Sequence, residues 1–210
     1  MLLPQAPEHM YRHRGQTVRN FGYDTATGVE YQFNSLGYRS PEIDTTESAV
    51  VLLGNTITFG LGVDYNKTFG GIIAQRLKCP VYNFAWGCYG HTNNEQVALL
   101  EQILTTITPR YVIFQINNLN RYRINGLINF DNSEDIIVDE YTKFYNAITK
   151  TLNIIPHGYL HWDNYTYPVD LPTCLVYNKY HVDHSIASNT NTFGYKSHRL
   201  IAERILQENI

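Results

Sequence analysis

The segment from Val50 to Gly62, VVLLGNTITFGLG, constrains the fold most strongly, because an apolar run ends abruptly in a Gly-Asn-Thr turn. A short, uninterrupted apolar run of this kind is typical of a strand buried on both faces of a parallel sheet. In open α/β sheets, ligands and catalytic groups lie just beyond the carboxyl ends of the strands. The turn at Gly54, Asn55 and Thr56 is therefore predicted to lie at the functional edge of such a sheet.

Beyond this segment, the chain alternates short apolar runs with amphipathic stretches. The run YVIF, which starts at Tyr111, is apolar and β-prone, whereas Val97, Leu100 and Leu104 recur at helical spacing. This alternation predicts a three-layer α/β/α sandwich around a central, mostly parallel sheet. The predicted strands are Ala49–Leu53, Val81–Phe84, Tyr111–Phe114 and Tyr159–Trp162, and the predicted helices are Phe69–Leu77, Asn94–Ile107, Glu140–Leu152 and Lys196–Leu206.

Residues 1–48 precede this pattern and are predicted to form an arm ahead of an α/β domain that comprises residues 49–210. Two strand-like runs, Val18–Tyr23 and Val29–Phe33, flank the turn-forming stretch Thr25–Gly28. Strand-like runs on either side of such a stretch are typical of a β-hairpin. The arm is therefore predicted to contain an N-terminal hairpin.

Two further features favour a polar binding surface. Residues 119–134 are polar, carry Arg121 and Arg123, and are predicted to form an irregular loop that lines the site. The chain also contains 17 tyrosines. Tyrosine is frequent at surfaces that bind polar ligands, and it is equally common in ordinary interfaces and cores.

Composition and charge argue against several classes of partner. With 210 residues, of which 43% are hydrophobic and 17% charged, the chain has enough apolar material for one globular domain with a full core. The formal net charge of -3 argues against a nucleic acid as the main partner. Cys79, Cys88 and Cys174 are an odd number without CxxC spacing, which argues against a disulfide framework and favours a reducing compartment.

The sequence also gives no sign of a membrane segment. Its first residues, MLLPQAPEHMYRHRG, lack the apolar core of a signal peptide. No later run approaches the roughly 18 apolar residues of a membrane-spanning helix. We therefore expect no membrane association, and a cytoplasmic or virion-associated protein.

Metal and cofactor signals are weak. His9 with His13 and His157 with His161 show the i, i+4 spacing of paired helix ligands, but neither pair has a third ligand nearby. The glycines of Gly60–Gly62 lack the lysine of a phosphate loop and the third glycine of a dinucleotide fingerprint. The sequence therefore predicts neither a metal nor a cofactor.

The Gly-Asn-Thr turn and its surroundings resemble the nucleophile block of the SGNH (GDSL-type) hydrolases, which is Gly-Asp-Ser followed by Thr/Ile-Thr-Phe-Gly. Asn55 stands in the position of the aspartate and Thr56 in that of the nucleophilic serine. FNSLGYRSPE, from Phe33 to Glu42, also resembles the lead-in to this block in some bacterial and viral SGNH-like proteins. The resemblance covers roughly residues 33–206 and implies the SGNH-hydrolase variant of the flavodoxin-like α/β/α fold.

Two further blocks of the family have counterparts in the chain. In VYNFAWGCYGHTN, from Val81 to Asn93, the resemblance places Cys88 where the family has the glycine whose N–H donates to the oxyanion. In FQINNLN, which resembles the family's Gly-x-Asn-Asp, Asn117 matches the oxyanion-donating asparagine. Gln115 then stands for the glycine and Asn118 for the aspartate.

The fourth block, Asp-x-x-His before the last helix, corresponds to the region around Asn189. The resemblance places Asn189 in the aspartate position and Thr192 in that of the histidine, and neither side chain titrates near neutral pH. His181 and His184 lie a few residues upstream, with Asp183 between them. A loop insertion would let one of them, His184 above all, act as a substitute base.

Four of the substitutions share a direction, since those at Asn55, Asn118, Asn189 and Thr192 replace a charged or titrating group by a neutral polar one. The leading hypothesis is therefore a hydrolase relative with a degenerate active site, which binds a small polar or acylated-sugar ligand or serves as an interaction module. One alternative is an active ester hydrolase with Thr56 as nucleophile, Asn117 as oxyanion donor and His181 or His184 as base. Another is a structural subunit of a homo-oligomer or larger assembly, such as a virion, with contacts made by residues 1–48.

Overall fold

The computed structural model describes residues 2–19, 21, 22, 24, 27–87, 91–118, 121–124, 127–130, 133–161, 174–176 and 193–207. Within them, the helices are α1 (Glu8–Tyr11), α2 (Thr56–Phe59), α3 (Phe69–Leu77), α4 (Asn93–Leu104), α5 (Glu134–Thr151) and α6 (Tyr195–Leu206), with a 3₁₀ turn at Tyr65–Lys67. The strands are β1 (Thr17–Arg19), β2 (Glu30–Gln32), β3 (Val50–Leu53), β4 (Val81–Asn83), β5 (Tyr111–Gln115), β6 (Arg121–Ile124), β7 (Leu127–Phe130), β8 (His157–His161) and β9 (Cys174–Val176).

The central sheet is parallel, as predicted, and its five strands lie in the order β4-β3-β5-β8-β9. In the middle of the sheet, Val51 of β3 is in register with Tyr82 on one side and Val112 on the other. The chain runs from β3 outward to β4 and then crosses back to β5, so the winding direction reverses between β3 and β5. In sheets of this type, the crevice at that reversal is the usual ligand site.

Helices cover both faces of the sheet, which confirms the predicted three-layer sandwich. Along β3, Val50 and Leu52 pack in one buried cluster with residues of α3 and α6. Val51 and Leu53 point to the other face, where they pack with residues of α4 and α5. This alternation explains why the strand is apolar at every position. No helix in the described part of the chain is both long enough and apolar enough to cross a bilayer.

Residues 1–48 pack against the sheet and contain the predicted hairpin, in which β1 and β2 pair antiparallel with Val18 opposite Tyr31. The strands are shorter than the sequence pattern predicted. The side chains of Met10, Phe21 and Tyr31 are buried in the same cluster as those of α4 and α5. These apolar side chains of the N-terminal region therefore face the core.

The segment between β5 and α5 differs from the prediction. Residues 119–134 were expected to be an irregular loop, but β6 and β7 pair antiparallel with Ile124 opposite Leu127. Asn125-Gly126 stands between the two strands in the sequence and is a strong hairpin signal. Helix α5 also begins six residues earlier than predicted, at Glu134 rather than Glu140.

Candidate functional site

The turn after β3 is built around Asn55, which begins helix α2. The Asn55 side-chain oxygen Oδ1 accepts a hydrogen bond from the backbone N–H of Ile57 at 3.1 Å, so Asn55 is the N-cap of this helix. Thr56 is the first residue of α2 and is half-buried. The described residues provide no hydrogen-bond partner for its hydroxyl group. The helix ends at Gly60, whose φ of 78° is left-handed.

Gln115, at the end of β5, fills the space beside this turn. Its Oε1 accepts hydrogen bonds from the Thr58 hydroxyl at 2.6 Å and from the backbone N–H groups of Thr58 and Asn55, both at 3.2 Å. Its Nε2 donates to Asn55 Oδ1 at 2.8 Å. A Cβ atom at Gly54 would lie 2.2 Å from Thr58 Oγ1 and 2.7 Å from Gln115 Oε1. The turn therefore requires glycine at position 54.

Asn55 and Asn117 meet across the crevice between β3 and β5. Asn55 Nδ2 donates to Asn117 Oδ1 at 2.6 Å. Asn117 Nδ2 in turn donates one of its two N–H groups to the backbone carbonyl of His91 at 2.7 Å. Two of the predicted site residues are thus in direct contact, and Thr56 adjoins them.

The start of α4 completes this arrangement. Asn93 Oδ1 accepts from the Asn117 backbone N–H at 2.7 Å, and Asn93 Nδ2 donates to the Asn117 carbonyl at 3.1 Å. Gln96 Nε2 donates to the carbonyl of Gln115 at 3.2 Å. The N-cap of α4 is Thr92, which forms a capping box with Glu95. Asn93 is thereby free to bind Asn117.

The crevice is therefore lined by a network of neutral amides, which we call the amide network: Asn55, Asn93, Gln96, Gln115 and Asn117. A carboxylate has no N–H to donate, so aspartate at position 55 could not make the bond that Asn55 makes to Asn117 Oδ1. The asparagine is therefore not a neutral copy of the family's aspartate. It orients Asn117.

A buried arginine from the N-terminal region holds the segment that follows α2. The guanidinium group of Arg39 donates to the carbonyls of Phe59, Gly60 and Val63 at 3.1, 2.6 and 2.7 Å. The guanidinium also lies over the ring of Tyr31, 4.4 Å from its centroid. Burial lowers the pKa of Arg39 to about 10, so it remains charged at neutral pH.

Tyr31 links this arginine to a buried carboxylate. The Tyr31 hydroxyl donates to Asp24 Oδ2 at 2.5 Å and accepts from the Gly62 backbone N–H at 2.7 Å. Burial raises the pKa of Tyr31, so the hydroxyl keeps its proton. The N-terminal region therefore holds the segment that follows α2, from Phe59 to Val63.

Asn118 makes no hydrogen bond to the amide network. Asn118 is exposed, and its carbonyl accepts from the backbone N–H of Arg121 at 3.1 Å. The guanidinium of Arg121 lies 5.3 Å from the ring centroid of Phe130 in the β6–β7 hairpin. Outside the described residues lie Cys88, His181, Asp183, His184, Asn189 and Thr192.

Sequence reasoning missed Asn93, Gln96 and His91 as members of the site. The ring of His91 is buried and packs on the indole of Trp86, with ring centroids 4.5 Å apart. Its backbone carbonyl receives the Asn117 amide, as described above. The sequence did contain a signal for two of them. Asn93 and Gln96 lie in the first turn of α4, and that turn faces the end of β5.

No protein-family model matches the sequence, and no curated protein matches it. Solved structures match its fold. A protein assigned to the lipolytic G-D-S-L family from Desulfitobacterium hafniense DCB-2 has 14% identity and a TM-score of 0.51, over 76% of this chain and 98% of that one. A family two carbohydrate esterase from Clostridium thermocellum in complex with cellohexaose has 12% identity and a TM-score of 0.51, over 77% and 63%.

A further carbohydrate esterase, whose active site is described as having divergent catalytic and non-catalytic binding functions, has 10% identity and a TM-score of 0.50, over 77% of this chain and 64% of that one. The chain therefore spans less than two thirds of the length of either carbohydrate esterase. At these identities the likeness concerns the fold alone. The fold of this chain is that of the SGNH (GDSL-type) hydrolases.

Proposed function

We propose that this protein is an SGNH-hydrolase-like protein with a degenerate active site, which binds a small polar or acylated-sugar ligand without efficient turnover. The observation that carries this proposal is the 2.6 Å hydrogen bond from Asn55 to Asn117 at the crevice between β3 and β5. In a working site of this type, the residue at position 55 is acidic and the asparagine donates to an oxyanion.

The chemistry of ester hydrolysis explains why this bond matters. A serine esterase needs a nucleophile, donors for the oxyanion and a histidine base oriented by a carboxylate. Here one N–H of the Asn117 amide already binds the carbonyl of His91. The amide network contains no group that titrates near neutral pH, so it supplies neither acid nor base.

The neutral side chains of this site are, by contrast, well suited to binding an uncharged polar ligand. Neutral amides and the Thr56 hydroxyl recognise a neutral ligand that carries its own donors and acceptors, such as the carbonyl oxygen of an ester or the hydroxyl groups of a sugar. The Clostridium thermocellum structure was solved with cellohexaose. This neighbour supports the choice of carbohydrates as the first ligands to test.

Calorimetric titration with acetylated and unacetylated oligosaccharides tests the proposal. We expect binding by the wild type, with no turnover of the acetylated ligand, and weaker binding by Thr56→Val, which removes only a hydroxyl group. Asn66→Ala is the matched control, because Asn66 is exposed on the 3₁₀ turn outside the network. If Thr56→Val and wild type bind every ligand equally, or none binds, the proposal is wrong.

The second candidate function is ester hydrolysis with Thr56 as nucleophile. The observation in its favour is the position of that hydroxyl, half-buried at the carboxyl end of β3 and without a hydrogen-bond partner among the described residues. Asn117 would donate to the oxyanion, and His181 or His184 would act as base. The extra methyl group restricts χ1 of threonine, which makes it a poorer nucleophile in a tight turn.

Hydrolysis of short-chain aryl and sugar acetates separates the two candidates. Turnover above background that disappears in both Thr56→Val and His184→Ala would establish the esterase and exclude the degenerate site. Turnover that persists in Thr56→Val would assign the reaction to another residue. Absence of turnover in all three proteins, together with ligand binding, supports the degenerate site.

A further inference from the structure

A cavity of about 430 Å³ lies between the β1–β2 hairpin and the segment that leads into the sheet. Residues of the amide network do not line it. Polar and apolar groups contribute to its lining in similar measure. The polar side chains include Thr17, Glu30, Gln32, Ser40 and Glu42, and the apolar surface comes from Phe33, Pro41 and the ring of Tyr65. The volume is within the roughly 300–1,000 Å³ of small-molecule sites.

The hairpin turns its polar face toward this cavity. Thr17 lies directly opposite Gln32, and both line it. Val18 and Tyr31, which alternate with them along the strands, point to the other face, and Tyr31 is buried in the core. Because side chains alternate between the two faces of a strand, Val18 and Tyr31 pack inward while Thr17 and Gln32 face the cavity.

The charges in the lining are already engaged. Glu30 Oε1 binds the guanidinium of Arg19 at 2.7 Å. Both carboxylate oxygens of Glu42 accept from Ser35, one from its backbone N–H at 2.8 Å and one from its hydroxyl at 2.7 Å. Among the described residues that line the cavity there is no Lys, Arg or His. A strongly charged ligand would thus find neither an unpaired cation nor a cluster of unpaired carboxylates.

Uncharged donors and acceptors remain available. The side-chain amide of Gln32 makes no hydrogen bond to the described residues, so it offers two N–H groups and a carbonyl. Ser40 Oγ accepts from the Asn83 backbone N–H at 3.1 Å and retains its own proton to donate. Asn83 in turn donates through Nδ2 to the Thr58 carbonyl at 2.8 Å, which anchors this wall to the sheet edge and α2.

We propose that this cavity is a second ligand site, which binds a neutral polyhydroxylated ligand such as one or two saccharide units. Gln32 and Ser40 bind the hydroxyl groups of the ligand, the remaining lone pairs of Glu30 and Glu42 accept from further hydroxyls, and Tyr65 contributes ring surface. The site is independent of the function proposed above, because it shares no residue with the amide network.

Calorimetric titration with neutral mono- and trisaccharides of glucose and xylose tests this assignment, with spermidine as a cationic comparison. We expect saccharide binding that Gln32→Leu weakens by about tenfold, since the substitution removes one or two hydrogen bonds to an uncharged ligand. Gln75→Leu is the matched control on the exposed face of α3 and should leave the affinity unchanged.

Three outcomes would overturn the assignment. Saccharide binding that Thr56→Val weakens and Gln32→Leu does not would place the ligand at the amide network instead. Spermidine binding that Gln32→Leu weakens, without saccharide binding, would show that the cavity selects cations. The absence of binding by any of these probes would mean that the cavity is no saccharide site.

Discussion

At the scale of single residues, the most informative position is Asn55. Its amide combines three roles that an acidic residue cannot combine, because it caps α2, accepts from Gln115 and donates to Asn117. The donated bond requires N–H groups, whereas the other two require only an oxygen. The residue that stands where the SGNH nucleophile block has aspartate is therefore a structural donor in this chain.

Restoring the family's residue should therefore destabilise the protein. Asn55→Asp places a carboxylate oxygen against Asn117 Oδ1, and rotating the Asn117 amide would instead set its oxygen against the carbonyl of His91. We expect a loss of about 1–3 kcal/mol in the free energy of unfolding, measured by urea denaturation at neutral pH. Asn66→Asp on the exposed 3₁₀ turn is the control. Equal stability of Asn55→Asp and wild type would show that the network adapts at no cost.

Arg39 should be the most costly arginine to replace. Arg39→Met keeps the length of the side chain but leaves the carbonyls of Phe59, Gly60 and Val63 without their donors. We expect a loss of about 3 kcal/mol or more, because each buried, unsatisfied acceptor costs about 1–3 kcal/mol. Chemical denaturation measures it, with exposed Arg76→Met expected to stay within about 0.5 kcal/mol of wild type. Similar losses in the two variants would refute the role given to Arg39.

At the scale of elements, a hydrogen bond from the start of α3 to the side chain of His198 joins helices α3 and α6. The buried ring of His198 in α6 accepts at Nδ1 from the backbone N–H of Phe69, the first residue of α3, at 3.2 Å. Thr68 supplies a second acceptor, for the N–H of Gly71 at 3.1 Å. Helix α6 thus satisfies a donor at the start of α3, while both helices cover the same face of the sheet.

Removing the acceptor at position 198 should leave the Phe69 N–H at the start of α3 without its hydrogen-bond partner. His198→Leu fills the space without an acceptor, so we expect a loss of about 1–3 kcal/mol and faster hydrogen exchange at the Phe69 amide. His198→Asn is the matched variant, because its Oδ1 lies near the position of Nδ1 and should preserve protection of that amide. Equal exchange rates of the Phe69 amide in the two variants would contradict the role given to the His198 side chain as its acceptor.

The sequence predicted some elements well because one physical signal defined them. Strands β3 and β5 are apolar at nearly every position, and their predicted bounds differ from the observed ones by one residue each. The β6–β7 hairpin was missed because Arg121–Ile124 is only four residues long, although its sequence, RYRI, alternates charged and apolar residues. The Asn-Gly pair between the strands was the stronger signal.

At the scale of the whole molecule, the N-terminal region and the sheet share one core. Met10, Phe21 and Tyr31 are buried with side chains of the sheet and of α4 and α5. Through Arg39, the same region holds the segment after α2. The segment that follows the helix of Thr56 is thereby held by residues that precede the α/β domain in sequence.

Truncation tests this dependence. Removal of residues 1–48 should abolish cooperative unfolding and near-ultraviolet circular dichroism, because it uncovers apolar side chains of the sheet domain and removes the donors of Arg39. Removal of residues 1 and 2 is the control, since Leu2 is 95% exposed. A truncated chain, residues 49–210, that unfolds cooperatively would instead show that the α/β domain folds alone.

The sequence by itself determined the layers, the parallel sheet and the edge at which Asn55 and Asn117 lie. These follow from local patterns, since apolar runs specify buried strands and the alternation with helices specifies the crossovers. Only the tertiary structure decided what those asparagines do. The orientation of an amide depends on donors and acceptors that come from distant segments, here His91, Gln115 and Asn93, and no local pattern records which group faces which.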